Sequence, residues 1–371
     1  MSEDRNPWLA AARLRADEKM RDHWAANQCV FIKTPADLAM DRLNAVDKAV
    51  AGGLTPLTIG VGAVDRVVDT IAGPKFVVVL GRPSEGKSLL LYQFARQECA
   101  AIQQRAADRG VHWVEGGEYV LFVGLEEDGA EVSRLVAGDQ HGPVDYALGL
   151  VGEDVLRAEA RNAVDVPMYV MNEHRANVWG SEFASAALSG EAIWEDIQAL
   201  YRSTGLKPSL ICVDYLQLLG LEASDQRHEV AKNARACRLL ARQLAVPVVL
   251  ASQARRAVDS SAREGFPPIP EIGDSEWSAV AEQSCDVLMS LTRPARWPEK
   301  LVKKYTDDGY GPWPFRSDIT YDVTEDLVLL QLLKQKGGRR GRSRFMLSHD
   351  FATNKLRSAI PRGREAAVVF L

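Results

Sequence analysis

The sequence lacks any apolar run near the roughly 18 residues that a membrane-crossing helix needs. Its first stretch, MSEDRNPWLAA, is too polar for a secretory signal. No membrane partner is therefore expected, and a cytoplasmic setting is. Cysteine is scarce: Cys29, Cys99, Cys212, Cys237 and Cys285 are scattered, with no C-x-x-C pair. That spacing argues against a disulfide framework and for reduced, buried thiols. There is no excess of positive charge, since 45 basic residues stand against 50 acidic ones for a net charge of −5. Without a global basic field, any contact with nucleic acid has to come from local patches. The N-K-x-D base-reading motif of GTPases is missing, nothing reads as the acceptor site of a small-molecule kinase, and no internal repeat is visible. What remains is 46% hydrophobic and 26% charged over 371 residues, an ordinary balance for a chain that buries a core.

The chain reads as three parts. Residues 1–33 have helical composition and many charges but are too short for a domain, so they are expected to form an arm. Thr34-Pro35-Ala36-Asp37 reads as a helix start, and Leu38, Leu43, Val46 and Val50 then share one stripe before Gly52-Gly53. The apolar stripe of this 34–53 helix needs a cover, either its own domain or a neighbouring subunit. From residue 54 to 371, the runs FVVVLG, EYVLFVGLEE, SLICVDYLQLL, VPVVLASQ, DVLMSLTR and DLVLLQLLKQK are interspersed with helical segments. Continuous Val/Ile/Leu runs mark strands buried on both faces. The expectation is one α/β domain with a mostly parallel sheet flanked by helices.

The chemistry is concentrated at strand ends. VVVLGRPSEGKS (77–88) matches G-x-x-x-x-G-K-[ST], with an apolar strand before it and a helix after it. Gly81, Arg82, Pro83, Ser84, Glu85, Gly86, Lys87, Ser88 and Leu89 form the expected nucleotide-binding set. Gly81 and Gly86 let the backbone curl so that its amides face phosphate oxygens. Lys87 is expected to contact the β- and γ-phosphates, and the Ser88 hydroxyl to ligate Mg²⁺. Glu85 is assigned no chemistry and is expected to point away from phosphate. Asp214 ends SLICVD, where a buried carboxylate is costly unless it faces a cation, though it could instead cap the following turn. Glu126, Glu127 and Asp128 cluster after another strand, and one of them could orient a hydrolytic water. Gln253 ends VVLASQ, where an amide could sense the γ-phosphate.

In this order, GRPSEGKS, LEE, VDYLQLL, VPVVLASQARR, AVAEQSCDVLMSL and LLKQKGGRRGRSRF resemble the motifs of the RecA-like C-terminal domain of DnaB-type replicative helicases. The likeness runs from about Leu54 to Phe351. It implies a homohexameric ATP-dependent DNA helicase with 5′–3′ polarity that moves on single-stranded DNA with ATP and Mg²⁺. It makes Glu126 the catalytic glutamate and Gln253 the γ-phosphate sensor. It also sends Lys334 and Lys336 of the KQK segment across to a neighbour's γ-phosphate, and docks the 34–53 helix on an adjacent subunit. Lys336 stands where the family carries arginine, and a lysine gives a point charge rather than a fork. Arg339 or Arg340 could replace it, or GGRRGRSR could be a plain basic turn. The family's DNA-backbone loop is altered here to GDSEWS, so Arg255, Arg256, Arg263 and Trp277 are the alternative DNA candidates, Trp277 either stacking on a base or packing. The family's helical N-terminal domain is not visible, so primase recruitment through it is not expected. A loader or primase remain as partner classes, and a phage or mobile-element replisome in a bacterial cell would suit so compact a chain. The competing reading is a RecA/KaiC-like ring ATPase for strand exchange, loading or regulation without unwinding.

Overall fold

The computed structural model describes residues 56–361 apart from 69–70, 72, 128, 138–147, 172–188, 220–225, 260–267, 277–278, 299–301, 303–320 and 337–342. The expected arm and the 34–53 helix lie outside the described residues, as do Asp128, Arg263, Trp277, Arg339 and Arg340. A short α1 (Gly62–Asp65) leads into β1 (Phe76–Gly81), α2 (Lys87–Asp108), α3 (Trp113–Gly116) and β2 (Glu118–Gly124). Then come α4 (Gly129–Ala137), α5 (Glu153–Val164), β3 (Met168–Met171), α6 (Gly190–Thr204) and β4 (Lys207–Asp214). α7 (Gln226–Leu244), β5 (Val248–Gln253), α8 (Ala279–Ser284) and β6 (Val287–Thr292) follow, and β7 (Leu327–Gln335), β8 (Ser343–Asp350) and β9 (Lys355–Ser358) close the fold.

The nine strands form one sheet in the order β3-β2-β4-β5-β1-β6-β7-β8-β9. Strands β1 to β6 pair in parallel, while β6-β7, β7-β8 and β8-β9 are antiparallel. The mostly parallel α/β sheet read from the apolar runs is present. The central strand shows why the runs are unbroken: side chains alternate across the sheet, and both sides are covered. Val77 and Val79 pack with Leu90, Leu91 and Phe94 of α2, whereas Val78 and Leu80 pack with Val230, Ala234 and Cys237 of α7. Each such fully buried aliphatic side chain contributes roughly 1.5–3 kcal/mol.

The antiparallel end has its own small cluster of Ile269, Trp297, Leu327, Leu329, Met346 and Ala359. β3, β8 and β9 were not among the strands read from the sequence. β3 is a four-residue edge strand with every residue half-buried, and β8 mixes buried and half-buried positions, so neither carries a continuous apolar run. Among the described residues, no helix is long and apolar enough to cross a membrane.

Candidate nucleotide site

The parallel register brings the chemistry-bearing strand ends to one edge of the sheet. Gly81 of β1 lies opposite Gln253 of β5, and Gly124 of β2 lies opposite Asp214 of β4. Ligands of open α/β sheets bind outside such carboxyl ends. Beyond Gly81 the chain turns through Arg82–Gly86 into α2. Gly86 adopts φ 102°, a conformation that suits glycine. It heads α2 without a side-chain cap, so the first amides of the helix are left for an outside acceptor. At Gly81 a Cβ would lie 3.0 Å from Lys87 Cγ and 3.4 Å from the Leu291 carbonyl oxygen, so glycine makes room for the lysine stem.

Lys87 is buried, and its Nζ donates to the Arg82 carbonyl at 3.1 Å, inside the loop it serves. Burial pushes its pKa down, opposed by the negative charges of Asp214, Glu126 and Glu85. Arg82 Nη1 donates to the Ala254 carbonyl at 3.0 Å, tying the loop to the end of β5. Pro83 and Ser84 are exposed at the crest, and Leu89 is buried in the core beneath.

Asp214 is almost completely buried, and its Oδ1 has no hydrogen-bond partner among the described residues. Burial pushes its pKa up to about 6, against the hydrogen bond from Ser88 and the charge of Lys87. An orphaned carboxylate oxygen in such a place costs several kcal/mol unless a cation meets it. Mg²⁺ binds through hydroxyl and carboxylate oxygens together with waters and phosphate oxygens, so Ser88 and Asp214 fit it. The Leu125 N–H donates to the Asp214 carbonyl at 2.9 Å, which sets the start of the acidic turn beside this carboxylate. Glu126 and Glu127 are both exposed there. Partial burial, then the neighbouring Glu126, raises the pKa of Glu127. Gln253 is half-buried at the same edge.

Sequence reasoning missed the far wall of the loop. The Glu85 carboxylate is buried and accepts the backbone N–H of Arg293, just past β6, which fixes where the expected idle carboxylate goes. Arg293 Nη1 donates to the Glu325 carbonyl at 2.7 Å, and its Nη2 lies 3.1 Å from His349 Nδ1. Arginine has no acceptor, so Nδ1 accepts, and His349 Nε2–H donates to Asn354 Oδ1 at 2.9 Å. His349 is thus held neutral, and burial lowers its pKa. Arg296 Nη1 donates to the Pro83 carbonyl at 3.4 Å. Between these groups opens a cavity of about 260 Å³ lined by Ser84, Arg293, Ala295, Arg296, Glu325 and Phe351. Its only sequence signal was an arginine directly after an apolar strand.

Lys334 and Lys336 stand elsewhere. β7 runs against β6, so its last residues lie by Val287, at the edge opposite the loop. The length of β1 separates the two edges by roughly 16 Å, beyond a lysine's reach. Lys334 Nζ donates to the carbonyls of Glu282 and Gln283 at 2.8 and 3.0 Å, and Lys336 Nζ lies 3.4 Å from Asp286 Oδ1. The fold therefore brings together the loop, Asp214, Glu126 and Gln253, but not the two lysines. Arg255 and Arg256 are exposed just past Gln253.

Residues 57–352 match the family described as the DnaB-like helicase C terminal domain. A replicative DNA helicase DnaB of Leifsonia xyli is 26% identical over 267 residues, covering 70% of this chain and 51% of that protein. A probable plasmid replicative DNA helicase of Chlamydia muridarum is 26% identical over 250 residues, covering 65% of this chain and 48% of that protein. The chain thus spans about half the length of these curated relatives. Among solved structures, an isolated ATPase domain superposes with a TM-score of 0.60 at 18% identity, covering 89% of this chain and 100% of that one. A DnaB-like replicative helicase, whose interactions with primase were studied, superposes with a TM-score of 0.58 at 17% identity, covering 94% and 74%. These two likenesses show the shared RecA-like ATPase fold.

Proposed function

Because this chain belongs to the DnaB-like helicase C-terminal domain family, we propose that it is the motor of a hexameric replicative DNA helicase. It hydrolyses ATP between subunits, moves 5′–3′ along single-stranded DNA and separates duplex. The observation that carries this is the buried Asp214 Oδ1 beside Ser88, unpartnered among the described residues, at the mouth of an uncapped helix and a buried lysine. Phosphates sit on the amides of Gly81–Ser88, Lys87 neutralises the β- and γ-oxygens, and the Arg296–Phe351 cavity takes the nucleoside end. Mg²⁺, when bound, draws charge from the phosphate oxygens and is held by Ser88 and Asp214. Glu126 orients water and takes its proton, with Gln253 placed to report the γ-phosphate.

Lys334 and Lys336 serve the next subunit's phosphate. Their position on the edge away from their own loop supports that assignment, since they have no route to it. Residues 34–53 dock on the neighbour, and Arg255, Arg256, Arg263 and Trp277 face the DNA. A loader or primase completes the partner set.

A forked-duplex assay with ATP and Mg²⁺ tests the reading. Strand separation is expected from the intact chain and none from Lys87→Ala. Hydrolysis sensitive to Lys87→Ala but without strand separation would leave a ring ATPase for strand exchange, loading or regulation.

A further inference from the structure

Gln217 has no part in the scheme above, yet it is buried at the junction of three segments. It sits in the 3-10 turn Leu216–Leu218 that follows β4, three residues after Asp214 at the cation-facing end of that strand. Its Oε1 accepts the backbone N–H of Gln253 at 3.1 Å. Its Nε2 donates to Ser252 Oγ at 3.1 Å and to the Glu276 carbonyl at 3.0 Å. Backbone groups cannot exchange donor for acceptor, so these partners fix which way the amide points.

The segment it reaches, 271–276, is laid along the end of β5. The Glu276 N–H donates to the Gln253 carbonyl at 2.8 Å, and the Arg255 N–H to the Asp274 carbonyl at 2.7 Å. Ser252 Oγ and Ser275 Oγ lie 3.1 Å apart. On its other side, the segment is held by the Glu282 carboxylate, which accepts the N–H groups of Gly273 and Ser275 at 2.6 Å each. The stretch 252–255 and the segment 271–276 are therefore joined in register, and Gln217, from a third segment, grips both.

We propose that Gln217 is a positioning residue that makes the nucleotide-facing end of β5 and the 271–276 segment move as one body. Displacement of Gln253 by the nucleotide is then carried to the segment bearing Glu276, and strain on that segment is carried back. The inference rests on the translocase reading for what the movement serves, but the linkage itself can be measured without DNA.

Gln217→Glu separates the two grips. A carboxylate still accepts the Gln253 N–H, but sets an oxygen against the Glu276 carbonyl. Amide exchange is followed in peptides spanning 248–258 and 268–284, with and without a non-hydrolysable ATP analogue. In the unaltered protein both peptides are expected to gain protection together, and in Gln217→Glu only the first. The ratio of turnover with single-stranded DNA to turnover without it is expected to fall about tenfold, with basal turnover nearly unchanged. Gln217→Met, which cuts both grips at similar volume, is expected to lower the ratio at least as far. Joint protection in Gln217→Glu equal to that of the unaltered protein, or equal losses of basal and stimulated turnover, would overturn the inference. An unaltered ring whose turnover ignores DNA would instead overturn the translocase reading, and the exchange measurement would still decide whether the two segments are linked.

Discussion

The two edges of the sheet carry charge in opposite ways. At the carboxyl edge of the parallel strands, charged groups are buried and incompletely satisfied. Among the described residues, Asp214 keeps an unpartnered oxygen, Lys87 turns back on a loop carbonyl, and α2 starts without a side-chain cap. At the opposite edge, the charges are answered at home: Lys334 by the end of α8, and Lys336 by Asp286, which also accepts the Phe76 N–H at 3.0 Å. A group left wanting inside a protein points to a ligand, whereas a group with a solvent-screened partner can leave it at little cost. The first edge thus has the chemistry of a ligand site, and the second that of a surface whose charged groups are satisfied within the chain.

The largest effect expected from breaking this contrast comes from Glu126→Gln. Turnover should fall by at least about 100-fold while nucleotide binding, followed by a fluorescent ATP analogue, is kept. Retained hydrolysis in Glu126→Gln together with its loss in Glu127→Gln would move the role to the adjacent carboxylate. Next is Lys336→Ala at the opposite edge, expected to lower turnover on the order of tenfold or more, and only at concentrations where the ring assembles. Equal turnover of variant and parent across a dilution series would remove Lys336 from the neighbour's site.

The last effect is read in stability rather than in turnover. The folded-state pKa of Asp214, about 6, lies above its ordinary 3.8. Below pH 3.8 the group is protonated folded or unfolded and burial carries no charge penalty. As pH rises towards 6, the unfolded chain gives up the proton first, so stability falls, on the order of 2–3 kcal/mol in full. Asp214→Asn removes that slope. The nucleotide-free variant should melt a few degrees higher than the parent at neutral pH and lose the advantage near pH ~4, while being inactive. A variant that melts at or below the parent throughout would show that the orphaned oxygen is stabilised by something unseen.

The phosphate loop, the strand carrying Asp214 and the parallel core were legible because their causes are local. A Gly-Lys-Ser turn and an uninterrupted Val/Ile/Leu run each announce themselves within a dozen residues. The pinning of Glu85 was not, since its partner Arg293 is 208 residues away and offers only a backbone N–H, which every residue but proline has. Gln217 was visible inside DYLQLL, but its role depends on where Ser252 and Glu276 arrive, and no spacing encodes that. β8 and β9 escaped because all their half-buried positions but Phe345 carry polar residues. The antiparallel reversal followed from none of the apolar runs. A strand buried on both faces looks the same in either direction.

That reversal at β7 has a consequence for symmetry. If one chain's β7 edge serves the next chain's loop edge, the joining surfaces are unlike, and two copies cannot satisfy each other about a two-fold axis. Every pair then leaves one loop edge and one lysine edge open, and addition stops only when the last copy meets the first. A chain built this way has a head and a tail, and the ring it closes has a sense of rotation from the outset.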